Sequence, residues 1–139
     1  MSRSFLSVLL TALVLVAACT KQAAPPAPPG PPAGVQWAVI VLYNQPKDPA
    51  AFEKYYAETH VPLFASHAEE IGVTRVELVK FTATIDGKVP TLYREADLRF
   101  ESREALDKGV ATSGFKAVAA DLANFATGGV TVLIGQKTN

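Results

Sequence analysis

Hydrophobic and polar positions fall into three regimes along this chain of 139 residues. The first is a mostly apolar run from Phe5 to Val16, behind Arg3 and ahead of Ala17, Ala18 and Cys19. At about a dozen residues it is shorter than the roughly twenty that a helix needs to span a bilayer core. A charged start, an apolar run and small residues therefore predict a signal peptide over residues 1–18. In the second regime, TKQAAPPAPPGPPAGVQ from Thr20 to Gln36, six prolines occur and no large apolar residue precedes Val35. Such a segment buries too little surface to offset its ordering entropy, and proline extends it at roughly 3 Å per residue. Residues 19–36 read as a tether.

The third regime, residues 37–137, alternates patterns of period two and period 3.6. WAVIVLYN is apolar at nearly every position, as in a strand covered on both faces. Asp48 as N-cap with Pro49 at the first helical position starts a helix that runs to about His67. After Gly72, VTRVELVKFTATI is rich in β-branched residues. The pair Asp86-Gly87 then turns the chain and TLYREADLRF returns, which makes a hairpin. Ser102 caps a second helical region through Asn124, with a break near Ser113-Gly114, and Gly128-Gly129 leads into VTVLI.

The order β-α-β-β-α-β is the ferredoxin-like α+β arrangement, an antiparallel sheet with helices on one face. WAVIVLY is apolar on both sides, and Val76, Leu78, Leu98 and Phe100 are assigned to the face that the helices leave bare. A surface of that kind calls for cover. The expectation is a homodimer whose two sheets face each other.

Charge and cysteine content narrow the function. Thirteen basic and thirteen acidic residues cancel, and no Lys/Arg cluster is interleaved with aromatics, which argues against a nucleic-acid partner. Cys19 is the single cysteine, so no internal disulfide forms. On the first helix, Phe52, Tyr56, His60 and Leu63 recur at spacings of four, four and three and share one stripe. Two readings of His60 stand: a core histidine satisfied by a backbone carbonyl, or a proton-transfer group turned towards a cavity where Pro62 bends the helix. Tyr43 and Asn44 end the first strand and Tyr93 lies on the third, as polar-tipped groups able to reach the same mouth. His67 follows His60 by seven residues without a carboxylate-supported arrangement, so no metal site is assigned. Nor does the chain carry a phosphate loop or dinucleotide fingerprint, and no cofactor is expected.

Two resemblances extend this reading. VAAC resembles the lipobox of bacterial lipoproteins, which implies lipidation of Cys19, a membrane anchor in the cell envelope and, with Thr20 next, outer-membrane sorting in a Gram-negative host. The stretches VLYNQPKDPAAFEKYYAETHVPLF and DLANFATGGVTVLIG resemble the EthD family, over essentially all of Trp37 to Gln136. That resemblance implies a dimeric α+β barrel. Its superfamily includes cofactor-free monooxygenases, isomerases and aromatic polyketide cyclases, so the fold does not fix the reaction. The resulting expectation is a protein that handles a small apolar or aromatic compound. His60 is the candidate acid or base together with Tyr93, and Tyr43, Asn44 and Tyr56 are candidate substrate contacts. The alternative is a non-catalytic envelope lipoprotein that binds an apolar ligand or a protein partner. Asp121, Asn124 and Phe125, in the DLANF stretch, are read as a structural join without a catalytic role.

Overall fold

The computed structural model describes residues 36–138. The signal peptide, Cys19 and nearly all of the tether lie outside the described residues. The elements are β1 (Gln36–Asn44), α1 (Pro49–Tyr55), a π-helical turn (Tyr56–His60), α2 (Val61–Ile71), β2 (Arg75–Lys80), β3 (Leu92–Phe100), α3 (Arg103–Ala111), α4 (Ser113–Phe125) and β4 (Val130–Lys137). The sheet order is β2-β3-β1-β4, antiparallel throughout. This is the ferredoxin-like order, with each helical region divided into pieces.

The start and stop signals act through identifiable bonds. The Asp48 carboxylate accepts from the backbone N–H groups of Ala50 and Ala51, each at 3.0 Å, and closes the first turn of α1. Gly72 ends α2 in the left-handed region at φ 76°, where a side chain would be strained. Thr112 holds an extended backbone between α3 and α4, and its hydroxyl caps α4 by accepting from Phe115 N–H at 3.1 Å. The break between the helices therefore falls just before Ser113.

Register corrects the expected assignment of faces. Leu78, Ala96, Val41 and Val132 form one row across the four strands, and Val76, Leu98, Val39 and Ile134 form the next. Leu98 and Phe100 are buried, and Phe100 approaches Gly109 of α3, so these rows belong to the helix face; at its edges Val76 and Leu78 stay exposed as expected, together with Val132 and Ile134. Alternation had marked two faces on β2 and β3 but not which of them meets the helices. The opposite face carries Ile40, Leu42, Val79 and Leu133 around a charged group. There Asp97 pairs with Lys137 at 3.1 Å, and Arg99 pairs with Glu77. It is thus half apolar and half ionic rather than continuously apolar.

Beneath the helices the core is aromatic. Tyr43, Phe52, Tyr56 and Phe125 meet with ring centroids 5.1–5.9 Å apart, mostly edge to face. Packing of this kind contributes about 0.5–1.5 kcal/mol per pair beyond area burial.

Candidate functional site

The turn that carries His60 is wider than an α-turn, since the N–H of Val61 bonds back five residues to the carbonyl of Tyr56. Pro62 accounts for this locally. It has no N–H, and in an α-helix its ring would strike the carbonyl of Glu58. A wider turn gives that carbonyl room and lets α2 continue, where the sequence had suggested a kink. Within the turn Tyr56 and His60 are buried while Ala57, Glu58 and Thr59 are exposed, so both rings point inward. Single π turns of this type are frequent at functional sites.

His60 is 6 % exposed and has polar partners from two other elements. Its Nδ1 lies 2.8 Å from Oδ2 of Asp121 on α4, and its Nε2 lies 3.5 Å from the hydroxyl of Tyr43 on β1. The other oxygen of Asp121 accepts from the Tyr55 hydroxyl at 2.8 Å and from the Asn124 amide at 2.9 Å. Burial acts to raise the Asp121 pKa, but the hydrogen bonds from Asn124, His60 and Tyr55 outweigh it and hold the carboxyl below its ordinary value. An ionised carboxylate can only accept, so Nδ1 carries a proton and the neutral ring leaves Nε2 as its acceptor. Burial raises the Tyr43 hydroxyl, which is held as a neutral donor.

His60 and Tyr43 line a cavity of about 580 Å³ between the sheet and the helices. Val41, Ala96 and Leu98 form its floor, Phe64 of α2 and Val118 and Leu122 of α4 are among the residues opposite, and Val76, Leu78 and Val132 flank the exposed side. The polar side chains among its lining residues are Tyr43, Tyr56 and His60. An apolar cavity with a few convergent polar groups is the usual form of a small-molecule site.

Three of the residues expected from the sequence, Tyr43, Tyr56 and His60, are brought together here. Tyr93 and Asn44 are not. The β1–β3 register slips at Tyr43/Asn44, where Tyr43 faces Arg94 and Asn44 faces Leu92, so Tyr93 is left without a partner on β1. Counting by twos fails across such a slip. The Tyr93 ring packs on Phe52 at 5.2 Å, and burial followed by Glu53 raises its hydroxyl. Arg94 ion-pairs with Glu53 and lies over the Tyr56 ring, 4.8 Å from its centroid. Asn44 turns away and donates to the Gly128 carbonyl at 3.2 Å, pinning the α4–β4 loop. His67 pairs with Glu70 at 3.2 Å, apart from His60. Among the described residues, no group of three or more His, Cys, Asp and Glu is placed to hold a metal ion.

Sequence reasoning left Asp121 out of the site, yet a signal was available. Gly114, Val118, Asp121 and Phe125 are the buried positions of α4, at spacings of four, three and four. A carboxylate on such a stripe needs a partner.

Comparison with known proteins agrees with this architecture. The profile of the EthD domain matches residues 44–129. A curated relative from Rhodococcus erythropolis, described as an uncharacterized 11.0 kDa protein in the thcB-thcC intergenic region, is 40% identical over 102 residues, which are 70% of this chain and 90% of that protein. A crystal structure of an EthD family protein from Bacillus halodurans superposes with a TM-score of 0.66 at 27% identity, covering 74% of this chain and 99% of that one. A protein from Bacteroides fragilis, described as dimeric, of unknown function and of ferredoxin-like fold, superposes with a TM-score of 0.55 at 10% identity, over 73% of this chain and 96% of that one.

Proposed function

The chain belongs to the EthD family, and from that premise we propose that its cavity binds a small apolar or aromatic molecule on which His60, backed by Asp121, moves a proton. The observation that carries this reading is the Asp121–His60 pair, with His60 among the lining residues of a largely apolar cavity. Asp121 fixes the ring and stabilises the imidazolium that forms when Nε2 takes a proton. On this reading Tyr43 and Tyr56, which also line the cavity, orient the ligand oxygen with their hydroxyls. On this reading Tyr93 and Asn44 take no direct part. The competing reading, an envelope lipoprotein that only binds its ligand, keeps the cavity and omits the proton transfer.

The test uses a nitro-substituted naphthol, whose ionised form absorbs visible light, at a pH where it is neutral in water. Binding to the native protein brings up the visible band. His60→Gln and Asp121→Asn bind the compound without the band. A compound bound by the native protein that stays uncoloured refutes proton transfer and leaves the binding reading.

Two further parts of the proposal concern assembly and location. Exposed Leu133 and Val79, beside the ionic group of the open sheet face, support pairing of two copies through that face, as does the dimeric Bacteroides relative of this fold. The VAAC motif supports lipidation at Cys19 and an envelope location. If so, the native chain resists salt washing from membranes and Cys19→Ser releases it. Equal partitioning of both into the soluble fraction refutes the anchor.

A further inference from the structure

Resting on the proton-transfer reading of this cavity, we infer that the ligand enters uncharged and that alanines on both walls, Ala65, Ala68, Ala96 and Ala119, set how bulky it can be. Among the described residues, no Lys, Arg, Asp or Glu lines the cavity. The charges nearest its polar end are already committed. The Asp121 carboxylate stands behind His60, and Arg94, over the Tyr56 ring, is held by Glu53, which also binds Lys80 at 3.1 Å. A ligand anion would give up its hydration for an apolar wall with a carboxylate behind it and no fixed cation to pair with, which is far costlier than burying a hydroxyl. A neutral hydroxyl or enolisable carbonyl meets Nε2 of His60 and the hydroxyls of Tyr43 and Tyr56. Charge then arises inside the cavity. For a hydroxyl the O–H bond breaks and its electron pair stays on oxygen; for a carbonyl the α C–H bond breaks and its electron pair moves into the enolate, leaving the charge on oxygen. In either case the proton forms the N–H bond at Nε2, with Asp121 behind the resulting imidazolium.

Capacity follows from side-chain size. In the row Leu78–Ala96–Val41–Val132 the smallest residue is on the second strand, β3, and Ala65 and Ala68 of α2 and Ala119 of α4 also line the space. A volume of about 580 Å³ lies within the range of sites that enclose drug-sized molecules. Leucine at any of the four positions would fill part of it.

The experiment is calorimetric titration of the full chain at about pH 7 with naphthalene, 1-naphthol and 1-naphthoate, which share one apolar body and differ in the polar group. The expected order is naphthol tightest, naphthalene about five- to tenfold weaker for want of a hydrogen bond, and naphthoate at least about a hundredfold weaker than naphthol. Ala68→Leu and Ala96→Leu each weaken naphthol by about tenfold or more. Should buried Ala96→Leu fail to fold, half-exposed Ala68→Leu carries the test. Naphthoate binding as tightly as naphthol, or naphthol unaffected by Ala68→Leu, overturns the inference and leaves the proton-transfer reading standing. A missing visible band with the nitronaphthol does the reverse. Failure of all three compounds to bind overturns both.

Discussion

The partners of two carboxylates meet at the ring of Tyr56, and the two pairs differ. Asp121 is joined to His60, whose ring centroid lies 5.6 Å from that of Tyr56, and Glu53 is joined to Arg94, which lies over the same ring. Hydrogen bonds from Arg94, with lesser ones from Tyr93 and Lys80, lower Glu53 to about 2, and Asp121 is also held below its ordinary value. The difference lies in the partner. Arg94 stays protonated throughout the working pH range and turns its guanidinium to Glu53, so this pair ties the slipped end of β3 to α1. An imidazole is a group suited to proton transfer, and the second nitrogen of His60 lies beside the Tyr43 hydroxyl among residues that line a cavity. One cluster is scaffold, and the other has the means to do chemistry.

Breaking the clusters one at a time separates these roles. His60→Gln has the largest expected effect. The bound nitronaphthol no longer shows its visible band, and thermal unfolding reports a loss of about 1–3 kcal/mol because Oδ2 of Asp121 is left buried without its partner. Asp121→Asn comes next, with the visible band lost at nearly unchanged affinity, since an amide no longer fixes the ring or stabilises the imidazolium. Arg94→Met should cost about 1–3 kcal/mol on denaturant unfolding while leaving the visible band of the bound nitronaphthol in place. Loss of ionisation in Arg94→Met would erase the distinction between the clusters.

The smallest effect is a pH dependence. Glu53 is depressed from 4.5 to about 2, so its contribution to stability is fully present above the unfolded value and disappears as pH falls from about 4.5 towards 2. Thermal midpoints of the native chain and Glu53→Gln should therefore differ at about pH 7 and converge across that window. A gap that persists at about pH 2 would mean that Glu53 acts through packing rather than through its charge.

Much of this architecture is legible in the sequence, because local signals coincide with tertiary demands. Asp48-Pro49 caps α1, Gly72 ends α2, and the stripe Phe52–Tyr56–His60 does point at the sheet. The misreadings share one physical origin, namely that periodicity is local whereas orientation is set by distant elements. Val76, Leu78, Leu98 and Phe100 alternate correctly, but only the docking of the helices decides which face they occupy. Tyr93 is displaced by a slip in register that alternation cannot register. Asp121 stands 61 residues from His60, and no pattern within one helix couples the two. The π turn follows from Pro62 together with an uninterrupted α2, a pairing that Pro62 alone does not specify.

The central claim is that Asp121 holds the His60 ring so that Nε2 is the proton acceptor facing the cavity. Nitrogen-15 NMR of the histidine-labelled full chain, with His60→Gln used to assign the signals, tests it directly. In the neutral form of His60, Nδ1 is expected to be protonated and Nε2 bare, with Nε2 becoming protonated when the nitronaphthol binds. A neutral ring protonated at Nε2 and bare at Nδ1, or an Nε2 that does not change on binding, would contradict it.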